Sequence, residues 1–138
     1  MPFLILPNSS FDRFLDDFRI DFHTLFDKNI PLSRHKTKLQ SILDYLVGES
    51  FSISLEDFSA SLYDYYRLVR NSLAHDSLKR EPDIAAVFSS LNITEVHSRY
   101  PRLSAPHDMN NLTFDDFILC TANIKSIADK LTKSLENK

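Results

Sequence analysis

Glycine is almost absent from this sequence. Gly48 is the only one among 138 residues. Walker loops and dinucleotide-binding fingerprints each need several glycines, because the backbone must approach the phosphate groups closely. The near absence of glycine therefore excludes these phosphate-binding classes.

Cysteine is equally scarce. Cys120 is the only one, so no disulfide can form within the chain. It lies inside an apolar helical pattern, which predicts a buried, unreactive thiol and not a catalytic one. A chain without disulfides fits a reducing compartment, and we expect a cytoplasmic protein.

Long apolar runs are also missing. No stretch approaches the roughly 20 apolar residues that a membrane-spanning helix needs. The opening stretch MPFLILP is apolar, but it is too short for a signal peptide and lacks the basic region that precedes one. We expect it to be a packed arm or an edge segment, and we expect no membrane partner.

The charge balance limits the possible partners. The formal net charge is −3, with 43% hydrophobic and 25% charged residues. These proportions are ordinary for a soluble globular protein, and we expect a single domain over residues 1–138. Because the chain is acidic, contact with RNA or DNA requires a local basic patch.

Apolar residues recur at helical spacing through most of the chain, and no stretch alternates convincingly with the period of two that marks a strand. Three hydroxyl residues are each followed three positions later by an aspartate, which resembles a capping box. These pairs are Ser9 with Asp12, Ser54 with Asp57, and Thr113 with Asp116. The pattern predicts an all-α fold, a bundle of four or five helices.

The expected helix bounds follow from these signals. The first helix follows Ser9 and carries a stripe of five phenylalanines between residues 11 and 26. The second has Pro31 in its first turn and stops at Gly48. Three more are expected at about residues 55–75, 81–91 and 114–135, with mostly loop between residues 94 and 112.

The third helix ends in the stretch RNSLAHD, residues 70–76. A helical wheel places its buried stripe around Val69, with Leu73 in that stripe. Asn71 and His75 lie four residues apart on the opposite, polar face, and Arg70 lies at the flank. Histidine can exchange a proton at neutral pH, and arginine can hold a phosphoryl group with two hydrogen bonds.

A structural interpretation competes with this functional one. Basic and imidazole side chains are favoured in the last turn of a helix, because they complement its dipole. On that interpretation RNSLAHD is an ordinary helix terminus, and Arg67 belongs with Asp64 to a solvated polar face.

The stretch RNSLAH resembles the signature of the HEPN superfamily. In that signature an arginine, usually followed by a polar residue, precedes a histidine after four to six residues. Arg70, Asn71 and His75 match those three positions. The aromatic-rich helix before the motif and the amphipathic helix at the end of the chain are also similar to that family.

The resemblance implies a HEPN-like helical bundle that pairs as a homodimer and brings two motifs into one cleft. Many HEPN members are metal-independent endoribonucleases, often toxins or host-defence effectors, some of them with an antitoxin partner. The resemblance makes His75 the general acid/base, lets Arg70 stabilise the charged phosphorane and has Asn71 position groups. Arg67, Lys79 and Arg80 are weaker candidates for RNA contacts.

No cofactor is expected, and no metal site. His97 and His107 flank a proline-containing loop, but they lack the cysteines or the close paired spacing of a zinc site. The alternative to an RNA-cleaving enzyme is a non-catalytic helical interaction module or a subunit that binds an antitoxin, since some relatives of the family are scaffolds.

Overall fold

The computed structural model describes residues 5–75 and 81–136, and it describes the side chains of residues 9–73 and 83–136. Within those ranges the chain forms six α-helices and no strand. The helices are α1 (Ile5–Phe26), α2 (Lys38–Gly48), α3 (Ser59–His75), α4 (Glu81–Ser90), α5 (Ile93–Arg99) and α6 (Phe114–Glu136). The all-α prediction is confirmed, but six helices exceed the predicted four or five.

The chain divides into two compact units, and neither is continuous in sequence. We call residues 1–8 with 56–125 the α3 unit, and residues 9–55 with 126–138 the α1 unit. The expectation of a single domain over residues 1–138 stays a prediction.

The α3 unit is built around the apolar face of α3, which packs against α4. Leu62, Tyr65, Tyr66 and Val69 of this helix are each 0% exposed. They join a cluster completed by buried residues of the other helices and loops, among them Ile84, Leu91, Val96, Leu112, Leu119 and Cys120. The expectation that Cys120 is buried is confirmed.

The α1 unit is rich in phenylalanine. Phe11, Phe18 and Phe22 of α1 are buried, which confirms that the spacing of the stripe marks one apolar face. The ring centroid of Phe22 lies 5.5 Å from that of Phe51, which follows α2. Aromatic pairs at this distance add to the hydrophobic contribution of burial.

Two helix starts differ from the predictions. α1 begins at Ile5, so Ser9 lies inside it and does not cap it. The expected arm is therefore helical from residue 5 onward, and Pro7 is tolerated because it falls in the first turn. α2 begins at Lys38, well after Pro31, because the side chain of Thr37 accepts a hydrogen bond from the backbone N–H of Gln40 and caps the helix.

Two further differences concern α3 and α5. α3 starts at Ser59, so Ser54 is not its cap. The region expected to be mostly loop contains α5, whose first turn is capped by Asn92 through a hydrogen bond from the Glu95 N–H. Short polar caps of this kind allow a two-turn helix that apolar periodicity does not detect. The predicted helices at residues 81–91 and 114–135 are confirmed as α4 and α6.

The length and apolar character of the described helices bear on the expectation of no membrane partner. None of the helices within residues 5–75 and 81–136 combines the length and the apolar character that crossing a bilayer requires.

The end of α2 shows where backbone strain lies. Gly48 is the last helical residue, as predicted, but its φ is not positive. The left-handed position is Ser50, with φ of 65°, two residues later. A Cβ atom added at Gly48 would meet nothing within 4 Å. Glycine therefore stands where any residue fits, and serine stands where glycine fits best.

We predict that replacing Gly48 with alanine and replacing Ser50 with glycine each stabilise the protein. Gly48→Ala removes a poor helix former and should add up to about 1 kcal/mol to the free energy of unfolding. Ser50→Gly relieves the left-handed serine and should add roughly 1 kcal/mol. Urea denaturation measures both changes. Ser52→Gly is the matched control, because Ser52 is exposed and has no positive φ, and it should slightly destabilise. A loss of stability in Ser50→Gly would contradict the prediction.

Candidate functional site

The C-terminal turns of α3 carry the three residues of the predicted motif. Arg70 and Asn71 are both half-buried, and His75 is the last residue of the helix. Because the helix is continuous, the backbones of Asn71 and His75 lie one turn apart, a rise of about 6 Å. The side chain of His75 is not described, and the predicted RNA contacts Lys79 and Arg80 lie outside the described residues.

Arg67 is engaged within its own helix. Its Nη2 lies 2.7 Å from Oδ1 of Asp64, and its Nε donates to the same oxygen at 3.2 Å. A helical pair at this spacing contributes only a few tenths of a kcal/mol. The pair nevertheless directs the Arg67 guanidinium toward a carboxylate, so contact with RNA phosphate at this position would have to compete with Asp64.

The buried face of α3 ends differently from the helical-wheel prediction. Val69 is buried as expected, but Leu73 is 38% exposed, while Ser72 is only 6% exposed. The prediction for Leu73 is therefore wrong. The buried side of the last turns is rotated by one residue toward Ser72, so the turn that carries the motif packs less apolar surface than the pattern indicates.

One helical turn before Arg70, the hydroxyl of Tyr66 donates to a buried carboxylate. The acceptor is Oδ1 of Asp116 in the first turn of α6, at 2.7 Å, and Asp116 is 0% exposed. The same carboxylate accepts hydrogen bonds from the backbone N–H groups of His107 and Thr113, both at 2.9 Å, and lies 2.7 Å from Nδ1 of the His107 ring. Groups from three segments thus meet on one buried charge.

The predicted capping box of α6 is part of this network. The helix begins at Phe114, and the Asp116 carboxylate reaches back to the N–H of Thr113, as the pattern indicates. The reciprocal bond of a full box, from the Asp116 N–H to the Thr113 hydroxyl, is not among the described contacts. That N–H donates to the Thr113 carbonyl oxygen at 3.0 Å, and the Thr113 hydroxyl donates to the carboxylate at 3.4 Å.

Both tyrosines of the pair act as donors. The Tyr65 hydroxyl donates to the backbone carbonyl of His107. Burial, together with the negative charge of Asp116, raises the pKa of Tyr66 far above its ordinary value. Burial raises the pKa of Tyr65 as well, with smaller contributions from Asp116 and Asp108. Each hydroxyl therefore keeps its proton at any physiological pH.

A second carboxylate holds the same loop on the surface. Oδ2 of Asp115 accepts hydrogen bonds from the backbone N–H of Ser104 at 2.9 Å and from its hydroxyl at 2.8 Å. These bonds from Ser104, the backbone N–H first, hold the pKa of Asp115 below its ordinary value. Neighbouring aspartates at the start of α6 thus bind the loop at two points, His107 and Ser104.

The His107–Asp116 pair has the geometry of an acid/base dyad, yet its surroundings indicate a structural role. Since the carboxylate accepts from every other partner, Nδ1 of His107 is assigned as the donor and Nε2 as the basic nitrogen. The one hydroxyl within hydrogen-bond range of the His107 ring in the described residues is Thr113 Oγ1, 3.5 Å from Nδ1. The pair therefore orients the loop, and no described nucleophile forms a hydrogen bond with Nε2.

The structure does not gather His97 and His107 into one site. Nε2 of His97 lies 2.9 Å from the backbone carbonyl of Ala105, whereas His107 binds Asp116. Within the described part of the chain, no group of three or more His, Cys, Asp or Glu residues has the arrangement of a metal site.

Sequence reasoning missed the partners of Asp116. The capping pattern identified Asp116 with Thr113, but nothing in the spacing connects it to Tyr66, 50 residues earlier in the chain. The available signal was the pair of adjacent tyrosines in the buried stripe of α3, since a buried tyrosine hydroxyl needs a hydrogen-bond partner.

No family model, curated protein or solved structure matches this chain.

We predict that the two neighbouring aspartates differ sharply in their effect on stability. Asp116→Asn keeps the shape but turns an NH2 group toward donors in a buried site, so it should lower the free energy of unfolding by about 2 to 4 kcal/mol. Asp115→Asn, one residue earlier and only partly buried, should cause a clearly smaller loss. Urea denaturation of both variants tests this, and equal losses would contradict the network.

Asp115 should also show a distinctive pH dependence. Its pKa in the folded state lies below the unfolded value, so its contribution is present above the unfolded pKa of about 4 and is lost as the pH falls through the folded pKa. The difference in stability between wild type and Asp115→Asn should therefore narrow below about pH 4. A difference that stays constant from neutral pH down to pH 2 would show that the lowered pKa is absent.

Proposed function

We propose that this protein is a HEPN-type endoribonuclease that cleaves RNA without a metal ion, acting as a homodimer in a toxin–antitoxin or defence setting. The observation that carries the proposal is the continuity of α3 through the motif. Because the helix runs unbroken to His75, Asn71 and His75 are held one turn apart on a rigid element, and Arg70 precedes them directly.

The network around Asp116 supports this proposal by giving α3 a fixed anchor. Tyr66 binds the buried carboxylate one turn before Arg70. A site that must hold reacting groups in place benefits from a rigid element whose own side chains are locked by packing and hydrogen bonds.

The proposed reaction is transesterification at a phosphodiester. One His75 accepts the proton of the ribose 2′-hydroxyl, whose oxygen attacks the phosphorus. Arg70 stabilises the charge that develops on the phosphorane. The bond to the 5′-oxygen then breaks, and that oxygen takes a proton from a second, protonated histidine. The products are a 2′,3′-cyclic phosphate and a free 5′-hydroxyl.

The need for two proton transfers leads to the proposed dimer. Each chain offers one His75, and a two-fold axis beside the motif would bring a second copy into the same cleft. Asn71 would position the phosphate or the imidazole within that cleft.

A specific observation favours the second candidate, a non-catalytic interaction module. Asp64 holds Arg67 at 2.7 Å, and the chain has a net charge of −3. Both features reduce the general attraction for RNA, since affinity for phosphate depends on available cations. In that case the motif would end a helix and the protein would act by binding another protein.

The decisive test is RNA cleavage by purified protein in EDTA. Wild type should convert RNA into fragments with 2′,3′-cyclic phosphate ends. His75→Ala should lower the rate at least about 100-fold, because it removes the acid/base group. Arg70→Lys keeps the charge but loses the two-pronged contact with phosphate, so it should also be strongly impaired.

His35→Ala is the matched control, because His35 is an exposed histidine of the α1 unit. This variant should cleave at the wild-type rate, and all variants should unfold at similar temperatures. Cleavage that survives in His75→Ala, or that requires added Mg²⁺, would refute the enzyme proposal. Intact RNA with the wild-type protein would favour the interaction module.

A further inference from the structure

A groove of about 610 Å³ lies in the α1 unit between α1 and the last turns of α6. Its apolar lining comes from Phe14, Phe18 and Leu25 of α1 and from Leu135 of α6. The spacing of the α1 residues places them on one face of that helix. Leu25 is 64% exposed, so apolar surface remains uncovered within the described chain.

The charged lining of this groove is entirely acidic. Asp17, Asp21 and Glu136 contribute carboxylates, and none of the lining residues that are described is basic. Asp17 and Asp21 lie four residues apart, a spacing at which like charges repel along a helix.

Neighbouring acidic residues outside the groove form ion pairs. Asp16 pairs with Lys38 at 2.7 Å, and Asp129 pairs with Lys133 at 3.0 Å. No ion pair of this kind is made to Asp17, Asp21 or Glu136 by a basic side chain within residues 9–73 and 83–136. The negative charge of these three residues therefore lies beside exposed apolar surface, with no ion pair to a described basic side chain.

These charges decide which occupant the groove fits. A second copy that bound this face about a two-fold axis would place the same acidic residues against each other. A depression between two helices with apolar side chains in its lining suits an amphipathic helix that inserts every third or fourth side chain. We propose that the groove docks an amphipathic helix of a partner protein, with apolar residues at helical spacing and lysines or arginines flanking them. This proposal is independent of the RNA-cleavage function.

Two synthetic helical peptides test the proposal. Each has about 18 residues, roughly 27 Å as a helix, with leucines at the same helical positions. One carries lysines beside the leucines, and the other carries glutamates there. Fluorescence anisotropy should show the lysine peptide binding at least about tenfold more tightly, and the difference should shrink at high salt because salt screens exposed charges.

A pair of single variants and one double variant locate the binding site. Leu25→Ala should weaken binding of the lysine peptide by about fivefold or more, since it removes an anchoring side chain. Ile20→Ala is the control, because Ile20 is 63% exposed on the same helix but does not line the groove. The double variant Asp17→Lys with Asp21→Lys should reverse the preference toward the glutamate peptide.

Three outcomes would overturn the proposal. Equal binding of the two peptides would remove the role of charge. Equal weakening by Leu25→Ala and Ile20→Ala would place binding elsewhere on the helix. Self-association measured by analytical ultracentrifugation that Leu25→Ala abolishes and Ile20→Ala leaves intact would show that a second copy occupies the groove.

Discussion

The α3 unit depends on one buried charge, the carboxylate of Asp116. Removing a carboxylate from water costs several kcal/mol, and the cost is offset only when hydrogen bonds satisfy its oxygens. Here the donors come from α3, from the loop before α6 and from the cap of α6 itself: Tyr66, His107 and Thr113. Because any shift of α3 along α6 would take the Tyr66 hydroxyl away from this charge, the network fixes the register of the two helices as well as stabilising them.

The backbone of α3 links the position of Tyr66 to that of the motif. Tyr66 lies one turn before Arg70, and the helix rises about 14 Å from Tyr66 to His75. The 2.7 Å hydrogen bond between Tyr66 and Asp116 therefore fixes the position of the helical turn that leads into the motif. If α3 carries an RNA-cleaving site, the anchor positions it without contacting substrate. If α3 is only structural, the same anchor still accounts for the stability of the unit.

Much of this could be predicted from local patterns, because helix periodicity and caps depend on neighbouring residues. The phenylalanine stripe of α1, the bounds of α4 and α6, and the Thr113–Asp116 contact all belong to this class. The rest depends on residues far apart in sequence. The capping pattern pairs Asp116 with Thr113 only, because Tyr66, which also binds it, lies 50 positions earlier in the chain. The left-handed conformation of Ser50 is likewise not predicted, because Gly48, two residues earlier, is the residue type that local patterns favour at a helix end.

The distribution of charge reconciles an acidic chain with a proposed RNA substrate. Three basic residues, Arg70, Lys79 and Arg80, stand against Asp76 between residues 70 and 80, a local excess of the kind that phosphate contact requires. The acidic groove is built from other segments, α1 and the end of α6. The two proposed partners, an RNA strand and a basic helix, are therefore assigned to different segments of the sequence.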